Sequence, residues 1–379
     1  MQQSVTQSDD TNARTAQLAK LISEIGPDIP EISRRLGQFK ESVRYRYKEK
    51  LLDKGFAIQA AVALEKIGLK RVMFVCDFGR EYRAYANAIL SAMSDLCYVV
   101  YFSKTLPDGK YIVDAAVPRE LAESFGRFIV DLKQKGLFSW VDVVPFDWDT
   151  NPAMQAEYYD FDRGMWDFDW SSLPPPSTKS ASFSIGSPVK FDEVDLLLLK
   201  ELQIDATRSL TDIASKLRIN YKKLAWHHSE HVLRRELIRS YRLNWMGTTY
   251  DFKLEKALHR KHRYMSLAII VKDISDYERM DLMSKFGRLP FLWFEAAGRH
   301  YYADLAIPID MMTEAYVYLE SALDPVGDRA SWYVLDSSNA LTFTIAYKLY
   351  DQGKKAWVFN REELLSRFDS LLLKIKEAS

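Results

Sequence analysis

The chain has 379 residues, 52 basic against 52 acidic side chains, and 47% hydrophobic residues. That size and apolar content provide for two to four packed domains, and no apolar run approaches the roughly 20 residues a membrane helix needs. The cancelling charges give no global support for a polyanionic partner, and the polar start MQQSVTQSDDTNA lacks the apolar core of a secretion signal, so a cytoplasmic location is expected.

In chain order, the first patterned segment is 29–57. Its apolar residues Ile29, Ile32, Leu36, Val43, Leu51, Leu52 and Phe56 recur at three- and four-residue spacing, with a break at Gly37-Gln38-Phe39. This predicts two short helices around a tight turn, a helix-turn-helix. From Arg14 to Ile58 there are ten basic and six acidic side chains, a local balance of +4. The pattern then changes to strands alternating with helices: a strand at 71–78, a helix at 81–95, strands at 96–103 and 110–117, a helix at 119–135 and a strand at 139–146. The order βαββαβ describes a ferredoxin-like unit, and Pro107-Asp108-Gly109 supplies the turn between its central strands. Cys76 and Cys97 lie inside apolar strand-like runs and are expected to be buried thiols.

An acidic, aromatic stretch (146–170) follows, and then a Ser- and Pro-rich segment (171–189) that cannot hold a helix and reads as a linker. After it the pattern starts again. Leu210, Ile213, Leu217, Leu224, Val232, Leu233 and Leu237 fall on the seven apolar positions above at a constant offset of 181, with the break at Arg218-Ile219-Asn220. Asn220 is a good N-cap for the helix after it; Phe39, at the equivalent place, is not. Tyr301, Asp304 and Pro308 repeat Tyr111, Asp114 and Pro118 at an offset of 190, so about nine residues are inserted, most simply around 250–262. The second βαββαβ order runs through 264–271, 277–287, 291–296, 300–307, 310–322 and 331–335. A further apolar run at 341–350 predicts an added strand, and 361–376 a closing amphipathic helix. Gly164-Met-Trp166-Asp-Phe168 resembles 353–359, so the tails repeat as well.

The fold class expected is therefore α+β: two tandem units, each a winged helix-turn-helix followed by a ferredoxin-like βαββαβ domain. Boundaries are expected at 14–62, 63–150, 151–189 (acidic, aromatic tail and linker), 190–248, 249–350 and 351–379 (closing helix). A helix-turn-helix, a short wing, LEKIGLKRVMFVCDF and then a βαββαβ unit resemble the Lrp/AsnC-type transcription regulators of archaea and bacteria, here as a fused tandem. The resemblance implies a sequence-specific regulator that lays its second helix in the major groove of double-stranded DNA, with room for a small-molecule effector in the βαββαβ cavity. It also implies that the two sheets within one chain imitate a dimer, while a strand edge or the last helix allows a homodimer.

In the first copy the polar residues left on the second helix are Lys40, Ser42, Arg44, Tyr45, Arg46 and Lys48, with Arg44 or Arg46 the candidate for paired bonds to guanine. Arg34 and Arg35, one helix earlier, fit phosphate contacts. The second copy offers Tyr221, Lys222, Lys223, Trp226 and His227, and Trp226 suits a core position equally well. His227, His228 and His231 have helical spacing for one face, but neither cysteine nor a convincing acidic partner accompanies them, so no metal site is expected. Neither a P-loop, GxGxxG after a strand, GxSxG nor CxxC is present, so no enzyme and no cofactor are expected. Two alternatives stand beside the regulator. One is a scaffold of the transcription machinery docking through 158–170. The other is an enzyme similar to siroheme decarboxylase, whose family also joins a helix-turn-helix to a βαββαβ domain and whose tetrapyrrole would direct attention to Arg299-His300.

Overall fold

A computed structural model describes residues 2–173, 186–246 and 263–378. Most of the Ser/Pro-rich linker and His259 and His262 lie outside them.

Each helical unit has three helices. The first comprises α1 (Gln2–Ile25), α2 (Ile29–Leu36) and α3 (Lys40–Arg46), with α3 continuing as a π-turn over Tyr47–Leu52. In α2, Asp28 accepts from the Glu31 backbone N–H at the N-terminus and Gly37 closes the other end in the left-handed region. Ile32, Val43 and Leu51 are fully buried, as the apolar stripe requires. The second unit repeats this with α6 (Glu193–Ile204), α7 (Leu210–Leu217) and α8 (Tyr221–Trp226), again extended by a π-turn over His227–Leu233. Asn220 caps α8 by accepting from the Lys222 and Lys223 backbone N–H groups.

The strand after each helical unit forms its wing, and the two wings are partners. Strand β1 (Ala57–Val62) pairs antiparallel with β9 (Ile238–Asn244), from Ala57 opposite Asn244 to Val62 opposite Ile238. The turn between α1 and α2 sits directly on this ribbon. A Cβ added to Gly26, whose φ is +80°, would lie 2.7 Å from the Tyr241 ring.

The first ferredoxin-like unit consists of β2 (Leu69–Phe78), α4 (Ala86–Leu96), β3 (Val99–Leu106), β4 (Tyr111–Pro118), α5 (Ala122–Gln134) and β5 (Phe138–Pro145). The second consists of β10 (Tyr264–Val271), α9 (Asp276–Phe286), β11 (Leu292–Ala297), β12 (Tyr301–Pro308), α10 (Met312–Leu323) and β13 (Ala330–Thr342). Both have the strand order fourth-first-third-second, and β3 joins β13 to make one sheet: β5-β2-β4-β3-β13-β10-β12-β11-β6. Strand β6 (Trp148–Thr150) follows β5 after two residues yet pairs with β11, at the far end of the sheet. Phe146 N–H donates to Arg71 of β2 and Asp147 N–H to Ala297 of β11, so the two ends of the sheet meet there.

The sheet is therefore buried on both faces, and its strands read as continuous apolar runs. Val72, Phe74, Cys76 and Phe78 of β2 pack outward on the helices, whereas Met73 and Val75 pack inward with Ile112, Phe146, Ile270, Phe294 and Tyr302. Both cysteines are free, buried thiols.

Three expectations change. The apolar run at 341–350 is no added strand: β13 reaches Thr342 across a bulge, pairing first with β10 and then with β3. The tails do repeat, each as a short hairpin, β7–β8 (Tyr159–Asp160, Met165–Trp166) and β14–β15 (Tyr350–Asp351, Ala356–Trp357). Their register sets Trp166 on Trp357, which matches Gly164 with Lys355 rather than Gly353; both take positive φ, 73° and 51°. Finally, three aromatic residues of the stretch 158–170, expected to be available for docking, face inward. Tyr159, Phe161 and Trp166 are buried, with Tyr159 edge-on to Phe56 and Trp166 edge-on to Trp245, and Asn12 bonds the backbone of Tyr159 and Phe161. The closing helix α11 (Arg361–Ala378) lies on α5 through Phe368 against Phe128 and through Arg361–Asp131 and Lys135–Asp369 ion pairs.

Candidate nucleic-acid interface and central cavity

The tight turn into α3 leaves its first residues in solvent. Phe39, Lys40, Glu41, Ser42, Arg44 and Tyr45 are exposed, while Val43 anchors the helix. Arg44 pairs with Glu41 at 2.8 Å, an exposed contact of a kind that contributes little and is easily exchanged for a phosphate or a base. Arg34 and Arg35 share Glu31, whose carboxyl they hold down at about 2. Lys48 is exposed on the π-turn. Arg46 differs: it is half-buried and donates to the Gln38 side chain at 2.9 Å, bracing the turn. Of the two candidate arginines, Arg44 is the one that faces outward.

In α8, Tyr221, Lys222 and Lys223 are exposed, and Trp226 is 52% exposed, so it is not core. His227 is a correction. It is only 3% exposed, its Nδ1 stands 2.8 Å from Asp195, and it cannot reach a base edge.

Between the two ferredoxin-like units and the β1–β9 ribbon lies a cavity of about 190 Å³. Its polar lining includes Gln59, Arg71, Asp114, Arg242 and Asp304. Arg71 reaches from β2 to Asp114 on β4 and to Asp149 on β6, and its guanidinium lies over the Phe294 ring at 5.0 Å. Asp149 also receives Arg239, which in turn pairs with Glu65. Burial acts to raise the Asp149 carboxyl, but Arg71 and Arg239 outweigh it and hold it below the ordinary range. Burial raises the Asp114 carboxyl to about 6 despite Arg71, and raises that of Asp304 to about 7 with only Arg242 opposing. Gln59 Nε2, Asn151 Oδ1 and Asp114 Oδ1 are buried without a hydrogen-bond partner among the described residues, and all three residues line this cavity. Buried polar atoms left in that state mark a place where a further molecule, water or ligand, completes the bonding.

Arg299 and His300 do not lie there. Arg299 is exposed and pairs with Asp273, and the His300 ring nitrogen accepts from the Asp273 backbone. Arg299 lines a separate pocket with Asp147, Asp276 and Arg279. A cavity was expected, but its polar lining was missed, though it left a signal: an aspartate in the middle of an otherwise apolar strand, at matching places in both copies.

The fold and cavity define a class, a tandem of helix-turn-helix and ferredoxin-like units joined through one sheet. No protein-family model matches the sequence, and no curated protein is similar to it. Among solved structures the chain is similar to the siroheme decarboxylase NirDL, with a TM-score of 0.51 and 11% identity over 94% of this chain and 99% of that one. The same enzyme in co-complex with an iron-uroporphyrin III analogue matches equally, over 98% of its chain. A transcriptional regulatory protein of the AsnC family from Pyrococcus furiosus matches 36% of this chain, at 18% identity and a TM-score of 0.28 over 87% of its own. The expectation of a non-enzymatic protein is corrected by the first of these, since an enzyme is built on this fold over nearly its whole length. Among the described residues no helix is long and apolar enough to cross a membrane.

Proposed function

We propose that the chain binds double-stranded DNA in a sequence-dependent way through its two helix-turn-helix units, and that it regulates transcription in response to a small molecule held in the central cavity. The observation that supports this reading is the outward N-terminal half of each second helix, with Lys40, Ser42, Arg44 and Tyr45 on α3 and Tyr221, Lys222, Lys223 and Trp226 on α8. Pairing of β1 with β9 couples the two heads. Because α3 and α8 carry different side chains, the two half-sites would differ in sequence, unlike the palindrome of a homodimer. Sequencing of DNA fragments retained by the purified protein at two salt concentrations tests the reading: a few enriched sites with salt-sensitive affinity support it, and no retention at either salt overturns it.

A second reading, chemistry on a small molecule in the cavity, is favoured by Asp114 and Asp304, whose raised carboxyls suit proton transfer near neutrality. Among the described residues that line the cavity, these two carboxyls are the candidates for the acid-base role. Titration with a carboxylated iron porphyrin, followed by mass analysis for loss of carboxyl groups, tests it.

A further inference from the structure

We propose that Asp192, Asp195, His227 and His231 form a binding site for a divalent transition metal, with zinc the best match. One ligand atom from each of the four lies within 4.8 Å of every other. Asp195 is fully buried, His227 is 3% and His231 8% exposed, and Asp192 is at the rim, where an ion can enter. Asp195 Oδ1 stands 2.8 Å from His227 Nδ1, and Asp195 Oδ2 stands 2.9 Å from His231 Nδ1. The third distance, 3.7 Å from Asp192 Oδ1 to His227 Nδ1, is too long for a hydrogen bond. It is close to the separation of about 3.3 Å between two ligands of a tetrahedral zinc held at about 2.0–2.1 Å.

The local sequence fixes these donors in place. Asp192 and Asp195 form the capping box of α6, each carboxylate accepting from the other residue's backbone N–H, so both are held at the first turn. His227 and His231, four residues apart on the π-turn after α8, share one face. The Trp226 ring lies edge-on to both imidazoles, at 5.0 and 4.6 Å between ring centres. A mixed set of imidazole nitrogens and carboxylate oxygens suits zinc, nickel or cobalt better than calcium or magnesium. Without a metal, each Nδ1–H donates to Asp195. On metal binding each neutral imidazole moves its proton from Nδ1 to Nε2, no redox step is involved, and two carboxylates balance the ion's charge.

The duplication supplies an internal comparison. By burial, Asp192 and Asp195 match Asn12 and Thr15 of α1, and at the offset of 181 His227 and His231 match Arg46 and Lys50. The first unit folds without any of the four donors, so the helix-turn-helix itself does not require such a cluster. In the second unit the bound metal would clamp the helix that carries Tyr221, Lys222 and Lys223 to its supporting helix. The site stands independently of DNA binding and is tested without DNA.

The test is calorimetric titration of the full, chelator-treated chain with zinc, alongside cobalt(II) absorption. One zinc per chain is expected, with visible cobalt bands of a four-coordinate nitrogen-oxygen site. His231→Ala is expected to weaken zinc about 100-fold, while His228→Ala, outside the cluster, leaves binding unchanged. Should His231→Ala fail to fold, the rim variant Asp192→Asn and the wild-type cobalt spectrum decide. Absence of zinc binding by the wild-type chain overturns the proposal and leaves a hydrogen-bonded His-Asp-His cluster. Undiminished zinc binding by folded His231→Ala overturns it as well.

Discussion

Asp114 on β4 and Asp304 on β12 occupy matching places on opposite sides of the central cavity, but Arg71 pairs with the first, while Ser266 takes the place of that arginine beside the second. The copies have diverged at the one point where their symmetry would otherwise give two equivalent carboxylates.

A pH dependence follows. The Asp304 carboxyl titrates at about 7 in the fold because it is buried, against about 3.9 in an unfolded chain. Between these values the folded state holds a proton that the unfolded state has lost, so this group's contribution to stability declines as pH rises from about 4 to about 7. Asp114 and Glu295, raised by burial to about 6 and about 7, act in the same direction. Asp304→Asn is expected to stabilise the chain by about 2 kcal/mol at pH 8 and by little at pH 4, measured by urea unfolding at both. An equal effect at the two pH values would show that this carboxyl stays ionised in the fold.

Arg71→Met is expected to cost about 3–5 kcal/mol at pH 8, because it leaves Asp114 buried beside Asp149 with no cation of its own. Asp149 keeps Arg239. Adding Asp114→Asn is expected to restore part of the loss, which a double-mutant cycle by urea unfolding measures.

Arg44→Ala is expected to weaken binding to the preferred DNA sites by about 1–3 kcal/mol with little change in melting temperature, since the side chain is exposed. Lys222→Ala with Lys223→Ala would instead lower affinity for all sequences and reduce the salt slope by about 1 per residue. Fluorescence anisotropy at several salt concentrations separates the two patterns; an unchanged slope in the lysine variant would remove α8 from the interface.

Gly26→Ala tests the seat of the first helical unit on the ribbon. Its methyl would meet the Tyr241 ring at 2.7 Å, and φ is already +80°, so a loss of about 2–3 kcal/mol is expected. Tyr241→Ala should relieve the clash, and combined with Gly26→Ala should cost less than the sum of the two changes; additivity by denaturation would contradict the close approach.

The helical units and both βαββαβ orders were legible because their apolar residues keep strict periods, and the duplication let each copy support the other. Strand 264–271 was placed to the residue. The wing pairing was not legible, since Ala57–Val62 finds its partner about 180 residues away and nothing local names it. Likewise, Asp195 meets His227 and His231 across a gap of more than 30 residues, so the histidines looked unaccompanied. The aromatic tail misled for the opposite reason. Its acidic residues suggested a surface, while Tyr159, Phe161 and Trp166 between them turn inward.

The crossing at Phe146-Asp147 carries the chain from one end of the sheet to the other, so that the two ends meet. Two halves joined by a covalent stretch cannot be separated by dilution, as two separate subunits can. Each half is thus free to acquire its own substitutions without having to remain self-complementary, and one chain holds the two helical units in a fixed one-to-one ratio.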